Sequence, residues 1–237
     1  MGGTKAVIAA CRAAGVERLV HVGTEAALMH GQALVAVDEH APLAFGSRAP
    51  YSATKAAAEA AVIEANTTGL ETVVVRPRFV WGAGDTTLLP ILVDMARSGR
   101  LRWIGGGRQL TSTTHVDNTV EGLVLAAERG TPGNAYFVTD GSPVVFREFV
   151  TALLATQGVQ APEGEVPLWA ARAVARVSET AWRLLPLPGE PPVASFAVWA
   201  SGLEATIDDA KAREQLGYRP VVTRDHGLTS LQASAVL

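Results

Sequence analysis

Tyr51 and Lys55 are the two residues whose types and spacing most clearly suggest chemistry. They stand four positions apart at the start of an alanine-rich stretch. In an α-helix, side chains at positions i and i+4 share one face, which places the phenol beside the ammonium. A free tyrosine has a pKa near ~10, and a neighbouring positive charge lowers that pKa. The pair would then act as a general acid or base on a substrate oxygen, although a surface Tyr–Lys pair on an ordinary helix fits the same spacing.

A hydroxyl at the end of a short predicted strand is the second candidate. Residues 18–22, Arg-Leu-Val-His-Val, form a β-rich run that ends at Gly23 and Thr24. Ligands of open α/β sheets bind at the carboxyl ends of strands, where the Thr24 hydroxyl would hold a substrate oxygen against Tyr51. Threonine also commonly caps a following turn, and this simpler role is the alternative. The neighbouring Glu25 is expected to be a solvated loop carboxylate, with a position inside the site as its alternative.

A third group of candidates follows the strand predicted over residues 72–76. The run Thr-Val-Val-Val-Arg is typical of a strand buried on both faces of a parallel sheet. Pro77 ends it, and residues 78–82, Arg-Phe-Val-Trp-Gly, leave the sheet at the edge where Thr24 is expected. The backbone of this segment is therefore placed to line a ligand pocket, unless the segment is only a Pro/Gly turn.

Alternating helices and strands must position these candidates. Apolar residues recur at helical spacing over residues 4–14, before the strand at residues 18–22. An alanine-rich helix is expected at residues 51–66, before the strand at residues 72–76. The order helix, strand, helix, strand predicts an α/β fold with a doubly wound, Rossmann-like parallel sheet. Residues 28–50 show no clear periodicity and are expected to form a long loop.

The rest of the chain predicts shorter elements and a smaller, mostly helical C-terminal module. The expected helices cover residues 88–98, 117–129, 146–157, 166–185, 208–216 and 227–235, and the expected strands cover residues 101–104, 112–116 and 135–138. A Pro/Gly/Glu linker at residues 158–165 and a Pro-rich break at residues 186–192 separate the later helices. We therefore place a Rossmann-like domain at residues 1–141 and a substrate-side module at residues 142–237.

The composition is that of a folded chain and excludes several classes of partner. The 237 residues are 48% hydrophobic and 18% charged, which is sufficient for a sizeable core. A net charge of -3 gives no electrostatic reason to expect binding to nucleic acid or to an anionic membrane. No apolar run approaches the roughly 20 residues of a membrane span. The single cysteine, Cys11, allows no intramolecular disulfide, and a reducing cytoplasm is the expected location.

Other polar and aromatic residues favour structural roles. His115 and Asp117 have no third metal ligand nearby, and Asp117 is expected to cap the helix that follows, so no metal site is predicted. Three consecutive glycines at residues 105–107 stand between two short strands and are expected to form a turn rather than a phosphate loop. Three tryptophans of the smaller module either line an apolar substrate pocket or pack within the module: Trp169, Trp182 and Trp199.

Together these motifs resemble the extended short-chain dehydrogenase/reductase family, also called the NAD-dependent epimerase/dehydratase superfamily. The resemblance rests on the strand that ends His-Val-Gly-Thr at Thr24, the Tyr-x-x-x-Lys helix beginning at Tyr51, and the strand that ends Arg-Pro-x-x-Val-x-Gly at Gly82. The glycine turn at residues 105–107 and the segment His-Val-Asp-Asn at residues 115–118 add to it. Most of residues 1 to 150 is covered in this way, and the rest of the chain only loosely.

The resemblance is closest to the 3β-hydroxysteroid and sterol-carboxylate dehydrogenase branch over residues 76–90 and 98–129. It implies that hydride passes between a secondary alcohol or ketone and NAD or NADP. Tyr51 would be the general acid/base, Lys55 would lower its pKa and hold the nicotinamide ribose, and Thr24 would orient the substrate oxygen. Phe79 would border the substrate. Four further residues would contact the cofactor mainly through their backbone: Val22, Gly23, Pro77 and Arg78.

The substrate implied by this branch is a small, sterol-like molecule. A nucleotide-sugar epimerase or dehydratase of the same fold shares the Tyr/Lys chemistry and is the alternative. The resemblance also implies a homodimer formed through the Tyr-x-x-x-Lys helix and its neighbouring helix.

The sequence departs from the family pattern in two places. Gly23 stands where serine is common, although Thr24 still supplies a hydroxyl. The family's opening strand, its Gly-x-x-Gly-x-x-Gly turn and the following helix normally precede the point where this sequence begins, so a truncated sheet is expected. The second departure leaves a non-catalytic fragment, or a binding or regulatory module, as a further alternative.

Overall fold

The computed structural model of the protein describes residues 2–185, 188–189 and 191–234. The helices are α1 (Gly2–Ala13), α2 (Pro50–Glu64), α3 (Leu88–Arg97), α4 (Val116–Arg129), α5 (Phe146–Thr156), α6 (Leu168–Leu184), α7 (Ser195–Gly202) and α8 (Arg224–Ser234). The strands are β1 (Arg18–Val22), β2 (Leu34–Val37), β3 (Glu71–Pro77), β4 (Val80–Trp81), β5 (Trp103–Ile104), β6 (Leu110–Thr111), β7 (Thr114–His115), β8 (Asn134–Val138), β9 (Val144–Val145), β10 (Glu165–Val166) and β11 (Ala205–Ile207). Short 3-10 turns cover Glu25–Leu28 and Gly105–Gly107, and a π-helical turn covers Ala212–Leu216.

A parallel sheet of order β1-β3-β8 lies between helices on both faces. Successive side chains of a strand point to opposite faces. Val74 accordingly packs with Ile8 of α1 and Val62 of α2, whereas Val73 and Val75 pack with α4 and the π-helical turn. Every residue of β3 after Glu71 is buried. The predicted doubly wound α/β fold is thus confirmed.

The helix that carries the Tyr-x-x-x-Lys motif forms for clear local reasons. Pro50 occupies its first turn, where the missing N–H costs nothing, and alanines fill most of the remaining positions. Its buried face consists of small residues and Glu59, with Ala56, Ala58 and Val62 among them. Small side chains allow α2 to lie close to β3 and to the Glu25–Leu28 turn. Tyr51 is consequently held near the carboxyl end of β1.

The expectation of a continuous loop over residues 28–50 is wrong, because β2 lies within it. This strand pairs in parallel with β11, and the second sheet has the order β2-β11-β6-β9. Leu34 is the one buried residue of β2, and Ala36 has a positive φ of 46°. The segment therefore has no alternating apolar pattern, and its strand conformation depends on a partner far away in the sequence.

Several other expected elements differ in their bounds. The strand expected at residues 112–116 is limited to β7, since β6 ends before residue 112 and α4 already begins at Val116. Helix α7 and strand β11 were not predicted. The helix expected at residues 208–216 is mainly a π-helical turn. Position 235 and part of the expected break at residues 186–192 lie outside the described residues.

The division at residue 141 remains a prediction. The second sheet combines β2 and β6 from before that residue with β9 and β11 from after it. Within the described part of the chain, no helix is both long and apolar enough to cross a membrane.

Strand β1 forms an edge of the central sheet, and its side chains are half-buried or exposed. An edge strand presents unpaired backbone N–H and C=O groups, which promote pairing with other chains. We expect residues 1–237 expressed alone to be poorly soluble or oligomeric. Light scattering after size-exclusion chromatography would measure this. A monodisperse monomer with a sharp, cooperative thermal transition would contradict the expectation.

Candidate active site

Tyr51 and Lys55 lie on the same side of α2, as the four-residue spacing predicted. The Lys55 Nζ is 5.7 Å from the centroid of the Tyr51 ring. The ring of Phe196, on α7, packs against the ring of Tyr51, with centroids 4.6 Å apart and an angle of 46° between the ring planes. Tyr51 is still 45% exposed. A substrate can therefore approach the phenol beside an apolar ring.

The charges around Tyr51 do not by themselves produce an activated base. Burial raises the pKa of Tyr51, and the nearby negative charge of Glu25 raises it further. The expected lowering of this pKa by Lys55 remains a prediction. As the structure stands, the phenol is protonated at neutral pH, which suits a group that donates a proton to a substrate carbonyl.

Thr24 lies two residues after the end of β1, and its hydroxyl makes two local contacts. Its Oγ1 accepts a hydrogen bond from the Ala26 backbone N–H at 3.2 Å, so it does cap the Glu25–Leu28 turn. The same hydroxyl donates to Glu25 Oε2 at 2.8 Å. The capping alternative is thus realised, and the catalytic role of Thr24 remains a prediction.

The expectation that Glu25 is a solvated carboxylate is wrong. Glu25 is 3% exposed and forms an ion pair with Arg78, which is 2% exposed. A buried charge requires a partner, and the guanidinium from the end of β3 supplies it. No local pattern in the sequence indicates this pairing, because the two residues are 53 positions apart.

Both the backbone N–H and the side chain of Arg78 form hydrogen bonds with other residues of the protein. Its backbone N–H donates to Thr114 Oγ1 at 3.1 Å. Its side chain reaches Glu25, Thr111 Oγ1 and the Ala200 carbonyl. The backbone N–H of Arg78 is therefore already occupied by Thr114. The cofactor contact expected of Arg78 remains a prediction.

The other predicted cofactor and substrate residues lie around the same sheet edge. Val22 is 48% exposed at the end of β1, and Pro77 is buried at the end of β3. Phe79 has a positive φ of 46°, which is rare for a bulky residue and costs energy. Its half-buried ring packs edge-on against Phe146 and Phe149, with centroids 5.9 and 5.7 Å away. The substrate contact of Phe79 remains a prediction.

Gly23 has no room for a side chain. A Cβ at this position would lie 2.9 Å from Val74 Cγ1 and 3.1 Å from Glu59 Oε2. Glycine thus lets the end of β1 lie directly over the ion pair between Glu59 and Arg76. This close packing explains why a serine would not fit here without rearrangement.

We expect Gly23→Ala to lower the free energy of unfolding by about 1–3 kcal/mol, because the added methyl group overpacks the core. Chemical denaturation would measure the change. The loss of unfolding free energy in the double variant Gly23→Ala/Val74→Ala should be smaller than the sum of the losses in the two single variants. The reason is that alanine at position 74 lacks the Cγ1 atom that the new methyl group would contact. Full additivity would contradict this explanation.

His115 and Asp117 have structural roles, but the predicted cap was assigned to the wrong residue. His115 is the N-cap of α4, and its Nδ1 accepts from the Asp117 backbone N–H at 3.2 Å. The imidazole also packs edge-on against Trp81, with centroids 4.8 Å apart. In the described residues, no group of three or more His, Cys, Asp or Glu side chains is arranged to hold a metal.

The glycine turn and two of the tryptophans named in the sequence analysis have structural roles or lie away from Tyr51. The glycines at residues 105–107 form a turn before β6, with positive φ at each, as predicted. Trp199 is buried against Leu28 and Met29 in a core cluster, whereas Trp169 is 74% exposed. Neither of these tryptophans contacts Tyr51 in the manner of Phe196, which the sequence analysis did not identify as a site residue.

The α/β fold and the placement of Tyr51 beside Lys55 agree with the extended short-chain dehydrogenase/reductase type that the sequence resembles. Comparison with known sequences identifies the family. The chain matches the model of the 3-beta hydroxysteroid dehydrogenase/isomerase family over residues 1–168, and it belongs to that family. The predicted recognition is thereby confirmed.

Individual relatives are consistent with this assignment. The chain is 52% identical over 230 residues to a 4-hydroxy-2-methyl-3-oxo-4-farnesyl-3,4-dihydroquinoline-1-oxide ketoreductase from Stigmatella aurantiaca, covering 97% of this chain and 69% of the relative. It is 39% identical to a 2-alkyl-3-oxoalkanoate reductase from Stenotrophomonas maltophilia, covering 98% of this chain and 73% of the relative. The crystal structure of gox2253 matches with a TM-score of 0.72 and 25% identity, covering 98% of this chain and 71% of that chain.

The residues present fit the ribose end of a nicotinamide cofactor. Lys55 is half-buried and forms no hydrogen bond or ion pair within the described structure, so its ammonium is available to ribose hydroxyls. Tyr51 lies beside it, and Val22 is exposed at the adjacent strand end. These three residues would hold the nicotinamide ribose, and the bound cofactor would supply or accept the hydride.

Proposed function

We propose that the protein is a ketoreductase or secondary-alcohol dehydrogenase that uses NAD or NADP and acts on a lipophilic, small-molecule substrate. The observation that carries the proposal is the half-exposed Tyr51 phenol, one helical turn from Lys55, with α2 packed on the turn that begins after Thr24. Two relatives, named as reductases of a farnesylated quinoline oxide and of 2-alkyl-3-oxoalkanoates, support a ketone substrate with long apolar groups.

The residues divide the work of a carbonyl reduction. Tyr51 donates its phenolic proton to the carbonyl oxygen, and its raised pKa keeps that proton in place until the substrate binds. Lys55 stabilises the phenolate that remains. Thr24 orients the substrate oxygen with its side chain, whose conformation is held in the free enzyme by the contacts with Glu25 and with the Ala26 backbone N–H. In the reverse direction the phenolate would accept the proton of an alcohol.

An apolar substrate fits the surroundings of Tyr51. The Phe196 ring forms one wall of the approach to the phenol. An apolar wall favours alkyl, prenyl or steroid groups over a sugar, whose hydroxyls would lose their hydrogen bonds with water. The sterol-like substrate expected from the sequence belongs to the same chemical class.

The test is to follow NADH and NADPH absorbance with three kinds of substrate: a 2-alkyl-3-oxoalkanoate, a 3-ketosteroid, and a nucleotide sugar. Oxidation of the cofactor with either lipophilic ketone is expected. Conversion of the nucleotide sugar alone would indicate an epimerase or dehydratase. The absence of both turnover and cofactor binding would indicate a non-catalytic module.

A further inference from the structure

The carboxylate of Glu25 belongs to a series of contacts that starts at the Thr24 hydroxyl. Glu25 Oε2 accepts the Thr24 hydroxyl at 2.8 Å, and Oε1 forms the ion pair with Arg78. Both side chains of the pair are nearly inaccessible, at 4% and 3% exposed. A buried carboxylate with both oxygens engaged is held in one orientation, and it therefore fixes the hydroxyl that it contacts.

Arg78 extends these contacts to the substrate-side helix α7. Its Nη2 donates to the Ala200 carbonyl at 3.0 Å and reaches Thr111 Oγ1 at 3.3 Å. The same helix carries Phe196, which packs on Tyr51. A continuous series of contacts thus runs from the Thr24 hydroxyl to the Tyr51 ring through Glu25, Arg78 and α7.

We propose that Glu25 is a positioning residue, which fixes the Thr24 hydroxyl and, through Arg78, the α7 helix that packs on Tyr51. The proposal rests on the proposed function for its catalytic meaning. Its physical content, a coupling of Glu25 to Tyr51, can be measured without substrate.

The groups that face Tyr51 come from three elements. Lys55 lies one turn along α2, Phe196 approaches from α7, and Glu25 acts from the 3-10 turn. The negative charge of Glu25 raises the pKa of Tyr51, second in effect to burial. Removal of this charge should therefore lower that pKa.

A second buried ion pair provides a matched control. Glu59 and Arg76 are 1% and 3% exposed and form the same kind of carboxylate–guanidinium contact two residues earlier on β3. Their pair lies beneath Gly23 instead of beside Thr24. Loss of either carboxylate leaves a buried arginine unpaired, so the two changes should cost similar stability. They should differ in their effect on Tyr51.

The experiment compares Glu25→Gln with Glu59→Gln by ultraviolet absorbance titration of the tyrosine phenolate. The Tyr51→Phe titration is subtracted to isolate the Tyr51 signal. In Glu25→Gln the single amide oxygen cannot serve both Thr24 and Arg78. We expect the Tyr51 pKa to fall, since the negative charge of Glu25 raises it. Glu59→Gln should leave it unchanged.

Two further measurements separate the possible failures. If Glu25→Gln does not fold, the double variant Glu25→Gln/Arg78→Met removes both buried charges, and its downward shift should be smaller, because the lost positive charge of Arg78 acts in the opposite direction. In the active enzyme, Glu25→Gln should lower kcat/KM by about ten-fold or more through misplacement of Thr24. Equal Tyr51 titrations in the Glu25 and Glu59 variants would overturn the proposal. A shift without turnover in the wild type would instead sustain it and overturn the proposed function.

Discussion

Replacement of Tyr51 by phenylalanine is expected to lower kcat by about 10³-fold, because the variant has no proton to donate to the substrate oxygen. Absorbance of the nicotinamide cofactor would measure the rate with a lipophilic ketone. The fold should not be affected, since Tyr51 is 45% exposed and its hydroxyl makes no hydrogen bond in the described structure. Cofactor affinity should change little, because Lys55 is retained.

Tyr218 offers a matched control for this variant. It is fully buried, and its hydroxyl donates to the Thr139 carbonyl at 2.9 Å. Tyr218→Phe removes a hydroxyl of the same kind away from the site, and it should cost about 1–3 kcal/mol of stability by leaving a buried acceptor unpaired. Its kcat should stay near that of the wild type. Near-normal turnover by Tyr51→Phe would show that another group donates the proton.

The second large effect is expected on stability, from Glu59→Ala. The change leaves Arg76 as an uncompensated charge at a position that is 3% exposed. Such a loss typically lowers the free energy of unfolding by about 3–5 kcal/mol. Denaturant titration followed by circular dichroism would measure it. Adding Arg76→Met should recover much of the loss, because the unpaired charge is then removed as well.

An exposed pair provides the comparison. Arg100 and Asp94 also form an ion pair, but their side chains are 64% and 69% exposed. Asp94→Ala should change the free energy of unfolding by less than about 1 kcal/mol, because water solvates the remaining charge. If Glu59→Ala and Asp94→Ala lowered the free energy of unfolding by similar amounts, the larger cost expected for breaking the buried pair would be contradicted.

The sequence predicted the features of the fold that depend on local pattern. The valines at residues 73–75 indicated a strand buried on both faces, and the four-residue interval placed Tyr51 beside Lys55. Both conclusions follow from the regular spacing of side chains along one strand or one helix. The order of these elements then predicted the parallel sheet.

The features that were missed depend on contacts between distant residues. Glu25 was expected in solvent because its partner Arg78 is 53 positions away. Phe196 was not identified because its helix meets α2 only in the folded chain. Strand β2 has no apolar alternation of its own, and its partner is β11. A single sequence contains no signal for such pairings.

The pairing of β2 with β11 has a consequence for the order of synthesis and folding. The Ala36 backbone N–H donates to Thr206 Oγ1 across 170 positions of the chain. A ribosome makes the earlier strand long before the later one, and contacts of such separation form slowly. Helix α7, which brings Phe196 onto Tyr51, precedes β11 by only a few residues. A nascent chain would therefore acquire its Tyr–Lys helix early and the apolar wall of the site only after the segment through β11 has been made.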